Sequence, residues 1–298
     1  MRAILSLVLA CAVAGAACSR NSDRSDHGAS GGPVAVVASF YPLAYAAERV
    51  GGDAVSVTNL TPPGVEPHDL ELTADDLEAI ARADLVVYVG GGFQPGVEDA
   101  VRTESAAAVD ALAGVEAPGR DGGSDPHAWL DPDSYASIVD RIAVALSEVR
   151  DGVLAPGVSG NAATLEEELA ALDEAFRVGL ADCSTRVMVT NHAAFAYLAA
   201  AYDLEQRAIS GVSPGSEPDP ARVAELADQA RAEGVMTIFT EDLVSPEVAE
   251  TLADEAGLET ATLSPLEGLT EEQAEAGDDY LSLMRQNLEV LRDGLDCA

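Results

Sequence analysis

The chain has 298 residues, of which 52 are acidic and 16 are basic, and its net charge at pH 7 is −36. All of the basic residues are arginines, because the sequence contains no lysine. Such a charge repels nucleic acid and anionic membrane surfaces, and it raises the local concentration of cations. A uniformly acidic surface is equally typical of adaptation to high salt, so charge supports a cationic ligand only weakly. The length suffices for two modest lobes, each with its own core.

The amino terminus has the pattern of an export signal. Residues 1–17 carry an apolar run that is too short for a permanent membrane span and ends in small residues. Cys18 closes a segment that resembles a bacterial lipobox, which predicts a lipidated cysteine as the first mature residue. Gly15 departs from that pattern, and residues 14–16 also fit an ordinary cleavage site, which would give a soluble secreted or periplasmic protein. The polar residues 18–33 predict a flexible tether.

Two of the four cysteines remain once the amino terminus is set aside. Cys11 lies within the signal and Cys18 is the lipid candidate, which leaves Cys183 and Cys297. In an exported protein, two such cysteines are expected to form a disulfide, although two free, buried thiols are the alternative.

Strand and helix patterns alternate from Val34 onward. In the first half, strands are predicted at Val34–Phe40, Ala54–Leu60 and Asp84–Gly90, and helices at Thr73–Ala83 and Asp133–Val149. Thr73 and Asp76 form a capping pattern, and Leu77 and Ile80 are expected on one face of that helix. Alternating strands and helices predict an α/β fold with mostly parallel sheets.

A long helical pattern divides the chain into two halves. Leucine and phenylalanine recur at helical spacing up to residue 180, which predicts one helix over residues 158–182. Residues 34–157 are therefore predicted to form an amino-terminal α/β lobe, and residues 183–298 a carboxy-terminal one. In the second lobe, strands are predicted at Arg186–Thr190, Val235–Thr240 and Glu259–Thr262, and helices at Pro220–Glu233, Pro246–Ala256 and Tyr280–Leu295.

Three of the four histidines lie where predicted strands end or a helix begins. They are His68, His127 and His192, and Glu267 follows the last predicted strand. Because ligands of open α/β sheets gather at the carboxyl ends of the strands, these four side chains can converge. Three imidazoles and a carboxylate suit a tetrahedral Zn²⁺ site.

Each of these residues also has a simpler explanation when it is taken singly. A lone histidine near a strand end is usually a surface or hydrogen-bonded residue, and only the joint pattern predicts a metal site. A zinc hydrolase is a further alternative, because three histidines and a water also form catalytic centres. The sequence contains no HExxH segment, and Glu267 would close the open position, which argues against an enzyme.

Several segments together resemble the zinc/manganese class of metal-binding solute-binding proteins of bacterial ABC importers. The segments are Glu66–Thr73, Ala83–Tyr88, Asp125–Pro132, Thr190–Phe195, Gly211–Pro218 and Phe239–Glu241. The resemblance implies two α/β lobes joined by one long rigid helix, with the metal in the cleft between them. It also implies a monomer that delivers its metal to an ABC permease and ATPase. A metal-dependent surface adhesin on the same fold is the alternative.

The resemblance also implies a zinc-type metal site. His68 and His127 would come from the first lobe and His192 from the second, with Glu267 in the position that zinc-type relatives fill with glutamate. Ser264 stands where manganese-type relatives have an acid, so Mn²⁺ is the less favoured ion.

Two of the acidic residues in the segments that carry the family resemblance are expected to support the metal site. Glu66, Glu217 and Glu241 fall in such segments, and Glu217 and Glu241 are expected to cap or orient rather than bind metal. The loop over residues 114–124 lacks the histidine-rich stretch of many zinc-type relatives, so a metal-collecting role of this loop is not expected.

Overall fold

Two four-stranded sheets, one in each half of the chain, organise the fold, and every neighbouring pair of strands is parallel. The structure is a computed structural model that describes residues 32–104, 107–118, 125–149, 155–215 and 220–298. The predicted signal peptide, Cys18 and all but the last two residues of the predicted tether lie outside these residues. The mostly parallel α/β fold predicted from the sequence is confirmed.

The first sheet has the strand order β2-β1-β3-β4. Its strands are β1 (Val34–Ala38), β2 (Val55–Asn59), β3 (Leu85–Tyr88) and β4 (Ala108–Asp110). The helices of this half are α1 (Tyr41–Gly51), α2 (Ala74–Arg82), α3 (Pro95–Thr103) and α4 (Pro132–Glu148). The sequence did not predict β4, α1 or α3, because β4 has only three residues and neither helix has a side-chain cap at its amino terminus.

The capping signal of α2 is confirmed. Thr73 and Asp76 form the expected capping box, in which each side chain bonds the backbone N–H of the other. Ile80 is fully buried, whereas Leu77, which lies three positions earlier and was expected on the same face, is 42% exposed. The face of α2 that is buried is therefore narrower than the apolar face in its sequence.

Helix α5 (Ala155–Gly179) is the 25-residue helix between the two sheets. It begins and ends three residues before the predicted range of 158–182. It packs against α1 and α4 and also against the last helix of the chain. Its apolar stripe is buried as expected, at Leu165, Leu169, Leu172 and Phe176, and Leu180 just beyond its end is buried as well.

The second sheet repeats the topology of the first, with the order β6-β5-β7-β8. Its strands are β5 (Val187–Thr190), β6 (Glu205–Ala208), β7 (Thr237–Thr240) and β8 (Glu259–Thr262). Its helices are α6 (Ala196–Ala201), α7 (Pro220–Ala232), α8 (Glu247–Ala256), α9 (Glu271–Ala276) and α10 (Tyr280–Gly294). A Cys183–Cys297 disulfide joins the chain just after α5 to the chain just after α10, as predicted.

The packing of the two halves is continuous. One hydrophobic cluster includes Val36 of β1, Trp129, Phe176 of α5 and Leu283 of α10. None of the helices in the described part of the chain is long and apolar enough to cross a membrane. The shared core fixes the carboxyl ends of both sets of strands relative to each other, and these ends carry the site.

Candidate metal centre

Four side chains from both halves of the chain meet in one cluster. His68, His127, His192 and Glu267 each present one possible ligand atom, and these atoms all lie within 4.8 Å of one another. Glu267 is central, because its Oε1 is 2.7 Å from Nε2 of His127, 3.1 Å from Nε2 of His68 and 3.3 Å from Nε2 of His192. The structure therefore brings together all four residues that the sequence singled out.

The same local sequence positions the two histidines of the first half. Each follows an acid and a proline, in Glu66-Pro67-His68 and in Asp125-Pro126-His127. In both segments the acid accepts a hydrogen bond from the histidine backbone N–H, at 3.0 Å. Proline restricts the residue before it to extended backbone, which lets the acid side chain fold back over the turn.

Two of the imidazoles are oriented by a second carboxylate contact. Nδ1 of His127 lies 2.7 Å from Oδ1 of Asp125, and Nδ1 of His192 lies 2.6 Å from Oε2 of Glu241. A carboxylate at Nδ1 keeps a proton on that nitrogen, so Nε2 is the atom left to bind a cation. The supporting role predicted for Glu241 is confirmed. The role of Asp125 was missed, although the repeated acid-Pro-His pattern could have indicated it.

Burial and charge shift the protonation of the cluster. Burial opposes the charged form of His192, but hydrogen bonds to Glu241 and Glu267 outweigh it and raise its pKa to about 10. The pKa of His127 is raised in the same way, against burial, by Asp125 and Glu267. Burial also opposes ionisation of Glu267, yet hydrogen bonds from the three histidines hold its pKa well below the ordinary value.

Glu66 lies beside the cluster, where its surroundings favour the neutral, protonated carboxyl at pH 7. Burial, followed by the nearby charge of Glu267, raises the pKa of Glu66 to about 8. Its side chain accepts a hydrogen bond from the backbone N–H of His68, so it supports the turn. Glu217, the other acid expected to have a supporting role, lies outside the described residues.

The donor set fits a divalent metal ion. Once the imidazoles lose their Nε2 protons, three lone pairs and one carboxylate point at the same small volume, where they repel one another unless a cation is present. Oε2 of Glu267 is also buried without a hydrogen-bond partner. An unpaired buried carboxylate oxygen is costly, and an ion at this position would remove that cost.

The loop that carries Glu267 is fixed from two directions. The indole Nε1–H of Trp129 donates to the carbonyl of Pro265 at 2.8 Å, and Asn287 bonds both the N–H and the carbonyl of Ser264. Leu266 has a φ of 52°, which is unusual for a residue with a branched side chain. These contacts hold an unfavourable backbone conformation immediately before Glu267.

Ser264 takes part in the same loop. Its Oγ accepts a hydrogen bond from the N–H of Leu266 at 3.3 Å. Ser264 is not among the clustered ligand atoms, whereas Glu267 is. The arrangement thus agrees with the zinc-type pattern inferred from the sequence.

A two-lobed parallel α/β fold with a buried cluster of three histidines and a glutamate between its sheets defines a metal-binding protein of the solute-binding class. Residues 36–294 match the family described as zinc-uptake complex component A, periplasmic, and the chain belongs to this family. The predicted family resemblance is confirmed.

Known relatives agree with this assignment. The chain is 35% identical over 294 residues to the zinc-binding protein AdcA of Streptococcus pyogenes, an alignment that covers 90% of this chain and 57% of the relative. The chain thus spans little more than half the length of that curated relative.

Solved structures show the same fold. The Zn(II)-bound ZnuA-like domain of AdcA from Streptococcus pneumoniae superposes with a TM-score of 0.78 at 36% identity, over 89% of this chain and 100% of that one. The laminin-binding protein Lmb of Streptococcus agalactiae, described as a bifunctional protein with adhesin and metal-transporting activity, gives a TM-score of 0.80 at 32% identity. That match covers 87% of this chain and 98% of Lmb.

Proposed function

We propose that this protein captures one Zn²⁺ outside the cytoplasm and delivers it to an ABC permease and its ATPase. The observation that carries the proposal is the convergence of three Nε2 atoms on Oε1 of Glu267 in a buried cluster. In this proposal, His68, His127, His192 and Glu267 are the four ligands. The membership of a zinc-uptake family supports transport as the purpose of binding.

The chemistry of the donor set favours zinc over manganese. Zn²⁺ accepts imidazole nitrogen in a four-coordinate site, whereas Mn²⁺ prefers harder oxygen ligands and stands lower in the Irving–Williams order. The supporting carboxylates of Asp125 and Glu241 balance the charge of a divalent ion bound by neutral imidazoles. Since Glu267 fills the fourth position, the site has no place for a reactive water, and we infer that it is not catalytic.

Burial makes capture tight and release slow. The side chains of His127, His192 and Glu267 are almost fully buried, and only that of His68, at 8%, has a solvent-facing edge. Entry and exit of the ion therefore pass the side of the site formed by His68. Delivery to a permease requires this side to open.

A competition titration tests the proposed metal binding. Metal-stripped protein should take up one zinc ion per chain, as measured by elemental analysis, and excess Mn²⁺ should not displace it. His192→Ala should weaken zinc binding by orders of magnitude, while His27→Ala, which replaces the fourth histidine in the predicted tether, should bind as the wild type does. Equal affinities for these two variants would contradict the ligand set.

Growth in zinc-chelated medium tests the proposed transport. Cells that lack the gene should fail to grow at low zinc, and the wild-type gene should restore growth while the His192→Ala gene should not.

We also propose that Cys18 anchors the protein to the outer side of the cell membrane through a lipid. Cys18→Ser should then release the protein into the soluble fraction, unless cleavage after Ala16 already does so.

The adhesin alternative is favoured by one observation, the similarity to Lmb. On that alternative, the purified protein should bind immobilised laminin, and binding should depend on zinc if the loops around the site contact the partner. Laminin binding together with normal growth of the deletion strain at low zinc would favour adhesion over transport.

A further inference from the structure

His68 lacks the contact that orients the other two imidazoles. His127 and His192 each donate from Nδ1 to a carboxylate, but no carboxylate among the described residues accepts such a bond from His68. The imidazole of His68 instead packs edge-on against the ring of Phe93, with centroids 4.6 Å apart. The direction of the His68 side chain thus depends on where the backbone of its turn is held.

Gln94 holds that backbone. Its side-chain nitrogen Nε2 lies 3.3 Å from the carbonyl of Pro67, the residue directly before His68. The same nitrogen lies 3.3 Å from the carbonyl of Ser39 and 3.4 Å from Oγ1 of Thr61. One buried amide group thus bridges the His68 turn to the end of β1.

The anchor at the other end of this bridge is rigid. Ser39 directly follows the central strand β1, and its N–H bonds the carbonyl of Val87 in the neighbouring strand β3. Thr61 donates its own hydroxyl proton to the Ser39 carbonyl at 2.8 Å, which leaves its lone pairs for the amide of Gln94. The turn is therefore tied to the centre of the first sheet.

A contribution to folding stability does not explain why a buried glutamine stands at position 94. Gln94 is only 3% exposed, and its Oε1 is buried without a hydrogen-bond partner. Exchanging the amide oxygen and nitrogen would not help, because Oε1 would then face two carbonyl oxygens. An unpaired buried acceptor costs folding free energy, and the three long contacts of Nε2 offset this only weakly.

We propose that Gln94 is a positioning residue of the zinc site, which acts through the Pro67 carbonyl to keep His68 against the metal. This inference rests on the proposed zinc capture. Because His68 is the ligand with a solvent-facing edge, its displacement is the first step of zinc release. Gln94 therefore slows release, while association depends mainly on the charge of the protein.

Gln94→Met is the variant that separates positioning from folding. Methionine has a similar length but removes both the bridging donor and the unpaired acceptor. Zinc release into excess chelator, followed by stopped flow, should become about tenfold faster, the lower end of the effect of losing a supporting contact at a metal site. The unfolding temperature of the metal-free protein should stay the same or rise.

Asn161→Leu is the matched control. Asn161 donates from its side-chain amide to the carbonyl of Val50 at 2.9 Å, and it is not part of the metal cluster. This variant should unfold at a lower temperature but release zinc as the wild type does. Unchanged release from Gln94→Met, or faster release in both variants in proportion to their lost stability, would overturn the inference.

A double variant tests whether Gln94 acts through His68. In a His68→Ala background, Gln94→Met should have no further effect on zinc release. A persistent effect would show that Gln94 acts elsewhere. If His68→Ala alone bound zinc with wild-type affinity, the proposed ligand set would be contradicted. If His68→Ala bound zinc more weakly but Gln94→Met released it at the wild-type rate, only the positioning role of Gln94 would be overturned.

Discussion

Glu241 binds His192 through both of its carboxylate oxygens. Oε1 accepts the backbone N–H of His192 at 3.0 Å, and Oε2 accepts the Nδ1 proton at 2.6 Å. Because β5 and β7 are neighbours in the second sheet, the ends of the two strands carry His192 and Glu241 side by side. The carboxylate fixes the position, ring direction and tautomer of the histidine at the same time.

Replacing Glu241 should weaken zinc binding without removing a ligand. In Glu241→Gln the negative charge behind His192 is lost, which makes the imidazole a poorer donor and frees its tautomer. We expect zinc affinity to fall about 10- to 100-fold, measured by chelator competition. Glu205→Gln, an exposed position in the same sheet, is the control and should have no effect. Wild-type affinity of Glu241→Gln would mean that the ring is oriented by other contacts.

Glu267 should contribute to zinc affinity as the fourth ligand. Glu267→Ala leaves the three histidines and room for a water, so binding should weaken by at least about tenfold rather than vanish. The control is Glu272→Ala, which removes an exposed acid from the first turn of α9. An unchanged zinc dissociation constant for Glu267→Ala, or a metal-bound structure with its carboxylate turned away in the wild type, would assign the fourth position to another group.

Zinc binding should release protons at neutral pH. Because Glu241 and Glu267, against burial, raise the pKa of His192 to about 10, this ring carries a proton that zinc must displace. For one displaced proton the zinc dissociation constant should rise about tenfold per unit as the pH falls below 10. Calorimetry at pH 7 in buffers of different ionisation enthalpy should give at least about one proton released per zinc ion. Heats that do not depend on the buffer would contradict this.

The raised pKa of His192 also determines how the stability of the metal-free protein depends on pH. In the unfolded chain the pKa of a histidine is about 6.5. Since the folded pKa of His192 is higher, its stabilising contribution is fully present below about pH 6.5 and is lost as the pH rises toward about 10. The free energy of unfolding of metal-free protein, measured in urea, should decrease over this range. The same measurement on His192→Ala isolates the contribution of this ring. If that contribution to the free energy of unfolding stayed constant or increased with pH, the ring would be neutral in the folded protein.

The Cys183–Cys297 disulfide should stabilise the fold without tuning the metal site. It closes a loop with a sequence separation of 114 that contains the whole second sheet. The double variant Cys183→Ser/Cys297→Ser should lose about 5 kcal/mol on a chain-entropy estimate, with a lower unfolding temperature and unchanged zinc affinity at 25 °C. Mass spectrometry of the wild type from an oxidising compartment should find no free thiol at either position. Two free thiols there would reject the bond.

The sequence by itself predicted the parallel α/β plan, the long central helix and the four side chains that meet in the candidate site. These follow from local rules, because apolar runs, capping boxes such as Thr73 with Asp76, and helical spacing in α4 and α5 act over a few residues. His68, His127 and His192 could be singled out because histidine is scarce in this chain and each lies at the end of a predicted element. Glu267 was singled out by its position after the last predicted strand and by the family resemblance, because an acid alone is a weak signal in this acidic sequence.

Only the tertiary structure decided which side chains support those four residues. Gln94 reaches the His68 turn, Trp129 reaches the Glu267 loop and Glu241 reaches His192 across 27, 136 and 49 positions of sequence. Such contacts arise from the strand order and from the packing of the two halves, which no local pattern specifies. The exposure of Leu77 has the same cause, because the width of a buried helix face depends on what packs against it.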